Sequence, residues 1–177
     1  MNEASSRSNP ELTPAPSGSA WLVLHARPRC EKKLSVVCRQ HGITCYLPLM
    51  RKSHTYGARV RTFDVPMFSG YLFGIVDQQQ KLFLEQNRLV ANLLAVHDQE
   101  VLVRQLLQVD LALHSGEVLD VLPYLEEGRI VKIATGPFRG MEGVIDRIKG
   151  KSRVILNVDM IGQSIAVEID STYLSPA

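Results

Sequence analysis

Residues 65–76 read VPMFSGYLFGIV, and they decide how the chain is divided. The run is β-branched and aromatic, opens near Pro66 and breaks at Ser69-Gly70 before resuming at Tyr71, as a strand entered through a tight turn would. Alternation sends Tyr71, Phe73 and Ile75 to one side and Leu72, Gly74 and Val76 to the other. Both sides are apolar, although only 6% of the chain is aromatic. Two readings follow: a strand buried on both faces, or a strand with one face left open as an aromatic docking surface around Phe68, Tyr71 and Phe73.

Upstream the sequence is basic. Between residues 25 and 61 nine Lys and Arg residues stand against Glu31 alone, a local charge of +8 in a chain whose total is +2, so the remainder is net acidic. That asymmetry points to a polyanion facing the first half. Its centre is residues 51–61, RKSHTYGARVR, polar and basic with a turn at Gly57, which predicts a long hairpin with its tip in solvent. There Arg51, Lys52, Arg59 and Arg61 suit phosphate and His54 or Tyr56 a base. A solvated basic loop is the plainer alternative.

Further out, residues 1–19 are rich in Ser, Pro and Asn and read as a disordered tail. Order begins with a strand at Trp21. Cys30, Leu34, Val37, Cys38 and His41 form one helical stripe closed by Gly42, and residues 43–49 read as a second strand. Residues 77–85 form a short helix or turn and residues 89–96 a strand. Asp98 caps a helix reaching Leu113. Residues 115–126, with Pro123 and Glu126, read as a linker. Beyond it short β segments separated by glycine turns predict a small β-barrel. The fold class is therefore α+β: residues 20–114 as an α/β sandwich with an antiparallel sheet flanked by helices, then residues 127–177 as the barrel.

The three cysteines lack zinc-site spacing and read as free thiols. Neither metal nor cofactor is expected. No nucleophile elbow, HExxH or phosphate-cradling glycine loop occurs, so no enzyme is expected. With no signal peptide and no long apolar run, the expectation is a cytoplasmic monomer without membrane contact.

In the second half, EGRIVKIATGPFRGMEGVI followed by IGQSIAVEID resembles a KOW domain. In the first, WLVLHARPRCEKKL, ITCYLPL and VPMFSGYLF resemble the NGN domain. Together they resemble the NusG family of transcription elongation factors, nearest to its specialised paralogues of the UpxY and RfaH type. Phe68-Ser69-Gly70-Tyr71 departs from the family's usual Phe-Pro-Gly-Tyr.

The resemblance implies an NGN domain on the clamp helices of the largest RNA polymerase subunit. Phe68, Tyr71 and Phe73 match the family's clamp-binding aromatics, with His25 beside them. It implies that the hairpin, with Arg27, faces the non-template DNA strand. It also implies that Met160, Ile161 and Gly162 form a KOW loop recruiting a ribosomal protein or a termination factor. The expected role is suppression of pausing and termination on particular operons. The alternatives are a general NusG-type factor or a KOW-type ribosomal, RNA-binding protein. Gly136, Pro137 and Gly140 would each disfavour refolding of the second half into helices.

Overall fold

A computed structural model describes residues 12–57, 59–116, 119–123, 129–133, 138–148, 151–168 and 174–176. The expected disordered tail splits across that boundary, since residues 1–11 lie outside it. Residues 12–18 are not a free tail. Leu12 is buried among core side chains, and the Thr13 carbonyl accepts from Trp21 Nε1 at 2.9 Å. A polar composition hides one apolar anchor, which the buried indole secures because its N–H needs an acceptor.

The first sheet is antiparallel, in the order β2 (Thr44–Tyr46), β5 (Tyr71–Asp77), β1 (Ser19–Ala26), β6 (Val90–Ala95). Residues 43–49 were expected as one strand, but the chain leaves the sheet after Tyr46. Pro48 has no N–H to give a ladder, and its carbonyl instead accepts from Met67 N at 2.8 Å. Strict alternation along β1 and β5 sorts the side chains into two layers. Leu22, Leu24, Ala26, Leu72 and Val76 pack with Leu34 and Cys38 of helix α1 (Glu31–Gln40) and Leu84 of α2 (Gln78–Glu85). Trp21, Val23 and Phe73 pack with Leu102, Leu106 and Val109 of α3 (Gln99–His114).

Local signals set the helix ends. Asp77 and Gln80 form a reciprocal capping box at α2, and Asp98 accepts from Val101 N at 2.9 Å at α3. Each satisfies backbone donors that the first helical turn leaves free.

Between β2 and β5 the chain makes a separate two-stranded ribbon, β3 (Leu49–Tyr56) with β4 (Arg59–Pro66), paired from Leu49↔Pro66 to Tyr56↔Arg59. Gly57 takes φ +59°, the left-handed conformation a two-residue hairpin turn calls for. Every described residue from Arg51 to Phe63 is exposed. At its base the ribbon is tied to α1, where Lys32 Nζ donates to the Asp64 carbonyl at 2.5 Å.

The C-terminal strands form a second antiparallel sheet, ordered β12 (Leu174–Pro176), β8 (Arg129–Ile133), β9 (Glu142–Ile148), β10 (Lys151–Val158), β11 (Gln163–Glu168), β7 (Leu119–Pro123). The linker expected over residues 115–126 therefore needs correction. Its middle is strand β7, running beside β11 from Leu119↔Val167 to Pro123↔Gln163. Pro123 closes an edge strand, a place where proline is tolerated. Among the described residues no ladder joins β12 to β7, so they do not show the closed barrel expected. The glycine turns at Gly136 and Gly150 lie outside the described residues.

The two sheets share one apolar cluster through α3, which packs against β10. A polar clasp supports that contact. Gln105 Nε2 donates to Asp159 Oδ2 at 2.7 Å, and Asp159 N donates back to Gln105 Oε1 at 3.3 Å.

Candidate functional site

Two regions of the N-terminal half gather the residues that the sequence singles out. The first is the turn at residues 67–70 where it meets the end of β1. Gly70 adopts φ +85°, a conformation strained for any side chain but glycine. Its peptide is gripped from both sides: the N–H donates to Glu31 Oε1 at 2.8 Å, and the carbonyl accepts from Ala26 N at 2.8 Å.

His25 and Tyr71, directly opposed across the β1–β5 ladder, stack with ring centroids 4.9 Å apart and 19° between planes. The imidazole also lies over Gly70, where a Cβ would come within 3.4 Å of His25 Cδ2. Both rings are half-buried, and Arg27 and Arg29, which follow His25 in the chain, are exposed. The result is a small, half-exposed aromatic platform.

Phe68 and Phe73 do not belong to that platform, which corrects their assignment as contact residues. Both are 0% exposed and meet edge to face, 6.3 Å and 88° apart, within the cluster shared by Trp21, Val23, Tyr46 and α3. Alternation puts Phe73 on the sheet face that α3 covers, so its ring is core.

Glu31 was missed by any search for cations and aromatics. It is only 6% exposed, yet it carries the hydrogen bond that holds Gly70. The signal was available, because Glu31 is the single acid in a basic run. A buried carboxylate must be hydrogen-bonded to be tolerated.

The second region is the ribbon. Its register separates the candidate residues by face, since directly opposed residues project to the same side. One side carries Lys52, His54, Tyr56, Arg59, Arg61 and Phe63, and the other carries Arg51, Ser53, Thr55, Val60, Thr62 and Asp64. Arg51 thus faces away from the other cations and lies 3.9 Å from Asp64. Arg27 is not on the ribbon at all but in the β1–α1 turn. His54 and Tyr56 meet edge to face at 4.5 Å. Tyr56, Arg59, Arg61 and Phe63 line a hollow of about 550 Å³. Phe63 was not singled out from sequence, although pairing across a turn at Gly57 puts it opposite Lys52.

The loop of the second sheet offers less. Residues Asp159–Ile161 form a single 3₁₀ turn ended by Gly162 at φ +58°. Gly162 is exposed, whereas Met160 and Ile161 are partly buried against the shared cluster.

The free cysteines carry no metal geometry. No cluster of potential ligands occurs among the described residues. Cys38 and Cys45 face each other between α1 and β2; contact with Cys45 and burial push the Cys38 thiol up, and the same contact holds Cys45 below the usual thiol range. Among the described residues no helix is long and apolar enough to cross a membrane.

A family model described as "Transcription termination factor nusG" matches residues 19–107. That span begins with β1, enters α3 and contains both the platform and the ribbon. No curated protein matches the chain.

Proposed function

The chain belongs to the NusG family, and on that premise we propose that it is a transcription elongation and antitermination factor of the NGN–KOW type. The NGN half docks on the clamp helices of the largest RNA polymerase subunit, bridges the DNA cleft and meets the non-template strand with its ribbon. The C-terminal sheet serves as the KOW module, offering the loop at Met160, Ile161 and Gly162 to a ribosomal protein or a termination factor. The protein works in the cytoplasm as a monomer and, like UpxY and RfaH paralogues, on particular operons. It is no enzyme: holding the clamp shut shifts polymerase between states and catalyses nothing.

One observation carries this reading. The His25–Tyr71 stack is a half-exposed aromatic platform within the matched half, and it lies over a turn whose Gly70 peptide is hydrogen-bonded on both sides. Rings presented on a rigid support lose little freedom on binding, which is how a few residues come to dominate an interface.

Affinity capture with the full chain tests the proposal. Wild type should retain RNA polymerase, and Tyr71→Ala and His25→Ala should lose it. Recovery of ribosomes without polymerase would instead favour the RNA-binding KOW reading. A second reading, the general factor, is favoured by the family model's description, which names termination. Transcription through an intrinsic terminator separates the two. Read-through that rises with the protein supports antitermination, and read-through that falls supports the general termination-coupled role.

A further inference from the structure

The α1 side of the first sheet holds two thiols that neither polymerase docking nor the ribbon employs. We propose that Cys38 and Cys45 are a reversible oxidation site, where hydrogen peroxide converts the two thiols into an intramolecular disulfide joining α1 to β2. The inference stands apart from the polymerase reading, since it needs only the placement of two sulfurs.

The fold brings these sulfurs together. Cys38 stands in the last turn of α1 and is 0% exposed, and Cys45 is the middle residue of β2, half-buried against the same apolar cluster. The turn between them is pinned, with Gly42 at φ +66° and Ile43 N donating to the Cys38 carbonyl at 2.9 Å. The Cys45 thiol donates to the Ser35 carbonyl at 3.7 Å and accepts from the Cys38 thiol. Ser35 and Cys38, three residues apart, share one face of the helix. Cys30 is no partner for Cys38. It precedes it by eight residues on α1, about 12 Å along the axis, where a disulfide spans at most about 7 Å between Cα atoms.

The two thiols differ as an attacking and a resolving sulfur do. Cys45 lies on the edge strand of its sheet and is partly exposed, whereas Cys38 is sealed. Accepting the Cys38 S–H favours the Cys45 thiolate, and the Arg39 charge adds to this against burial. The same contact, with burial, keeps Cys38 protonated. The Cys45 thiolate attacks one peroxide oxygen and breaks the O–O bond, giving a sulfenic acid and a hydroxide that takes up the proton Cys45 released. The Cys38 sulfur then attacks the Cys45 sulfur. The S–O bond breaks, and the hydroxyl leaves as water with the Cys38 proton. Two thiols and one peroxide become one disulfide and two waters. A dithiol reductant reverses the change by exchange, and in a reducing compartment the pair rests as thiols.

Peptide mapping of the full chain tests the site. Trypsin cleavage after Lys33, Arg39 and Arg51 puts Cys38 and Cys45 on separate peptides and Cys30 on a third. After hydrogen peroxide and capping of the remaining thiols with iodoacetamide, the Cys38 and Cys45 peptides should appear joined, two hydrogens lighter than their sum, and Cys30 should carry the cap. Dithiothreitol before digestion should part them. Cys38→Ser should stop at a Cys45 sulfenic acid that dimedone traps, and Cys45→Ser should leave Cys38 unmodified at the same dose. Circular dichroism checks that both variants fold, with Cys38→Ala in reserve for the buried position. In urea, where the fold no longer selects the pair, links to Cys30 should appear as well.

Peroxide that oxidises Cys30 in the folded wild type and yields no joined peptide overturns the site. So does a folded chain that links Cys30 as readily as it links Cys38 to Cys45. Dimedone found on Cys38 and not on Cys45 overturns the order of attack. A mixture of isotope-labelled and unlabelled chain closes the remaining route: joined peptides that pair one labelled with one unlabelled partner would mean a bond between two molecules, and the intramolecular assignment would fall.

Discussion

Two pairs of rings lie close together in this chain and have opposite fates. Phe68 and Phe73, in and beside β5, are sealed beneath α3 with Trp21 and Val23, whereas Tyr56 and Phe63, on the ribbon, face solvent among arginines. The difference lies in the neighbours at period two. Apolar residues flank Phe73 on both faces of its strand, so the ring has a layer on each side to join. Phe63 shares its face with Lys52 and Arg61, and among the described residues no helix covers it. Aromatic density alone therefore says nothing about docking; aromatic residues interleaved with charge do.

The sharpest way to break this comparison is to shorten one ring of each pair. Phe73→Ala should cost about 3–5 kcal/mol in urea unfolding, as for other fully buried aromatics. Phe63→Ala should stay within about 0.5 kcal/mol, as exposed sites do. The volume-keeping Phe73→Leu then asks whether the buried ring also meets polymerase. Retained polymerase capture by that variant fits a ring that is only core. Capture lost from a folded Phe73→Leu would mean that the ring becomes accessible to the partner, and the division would fail.

Next in size is the support beneath the platform. Glu31→Ala leaves the Gly70 N–H without its acceptor beside a buried gap, at a cost of about 1–3 kcal/mol. Glu31→Gln keeps an acceptor oxygen at the same reach and should recover most of it. Polymerase capture should follow the same order if the turn positions Tyr71, and it should be indifferent to Glu31 if the rings bind without that support.

A third buried ring offers a readout that no exposed tyrosine can mimic. Tyr46 donates to Asp110 Oδ1 at 3.0 Å, and burial first, then the Asp110 charge, push its phenol well above the ordinary tyrosine range. The folded state thus keeps the proton that the unfolded chain gives up near pH 10. Stability from this group is complete below about pH 10 and declines above it, by about 1.4 kcal/mol per pH unit while only the unfolded form ionises. The measurement is the difference in unfolding free energy between wild type and Tyr46→Phe across that window. A difference that does not change with pH would show the phenol to be less enclosed than its contacts indicate.

Much of this architecture was legible because two periodicities are written plainly. The stripe Leu34–Cys38 and the alternation at Tyr71–Val76 each fix an element and its inner face, and Asp77 and Asp98 mark helix starts. What alternation cannot say is which layer arrives to cover a face, and that depends on contacts across many residues. This is why Phe68 and Phe73 looked available. Strand β7 escaped for a local reason: Pro123 ends it, and Ser115-Gly116 upstream with Glu126-Glu127 downstream read as linker, while its partner β11 lies far along the chain. Leu12 escaped because a single apolar side chain carries no period. Phe63 and Glu31 were within reach, the one by counting back across the turn at Gly57, the other as a lone acid among bases.

The smallest expected effect divides the ribbon itself. Arg51 and Arg61 look equivalent in sequence, yet register places them on opposite faces, Arg51 beside Asp64 and Arg61 in the hollow. Each phosphate contact to a single strand contributes about 0.7 to the slope of log affinity against log salt, through release of condensed counterions. Arg61→Ala should lower that slope by about 0.7, and Arg51→Ala should leave it unchanged, because its charge is partly met by Asp64 and points away from the strand. Neither should move stability beyond about 0.5 kcal/mol. Equal changes in slope for the two variants would mean that the strand wraps both faces. The ribbon would then act as a charged rod and not as a one-sided reader, and the contrast between its exposed rings and the sealed pair under α3 would keep its structural meaning but lose its functional one.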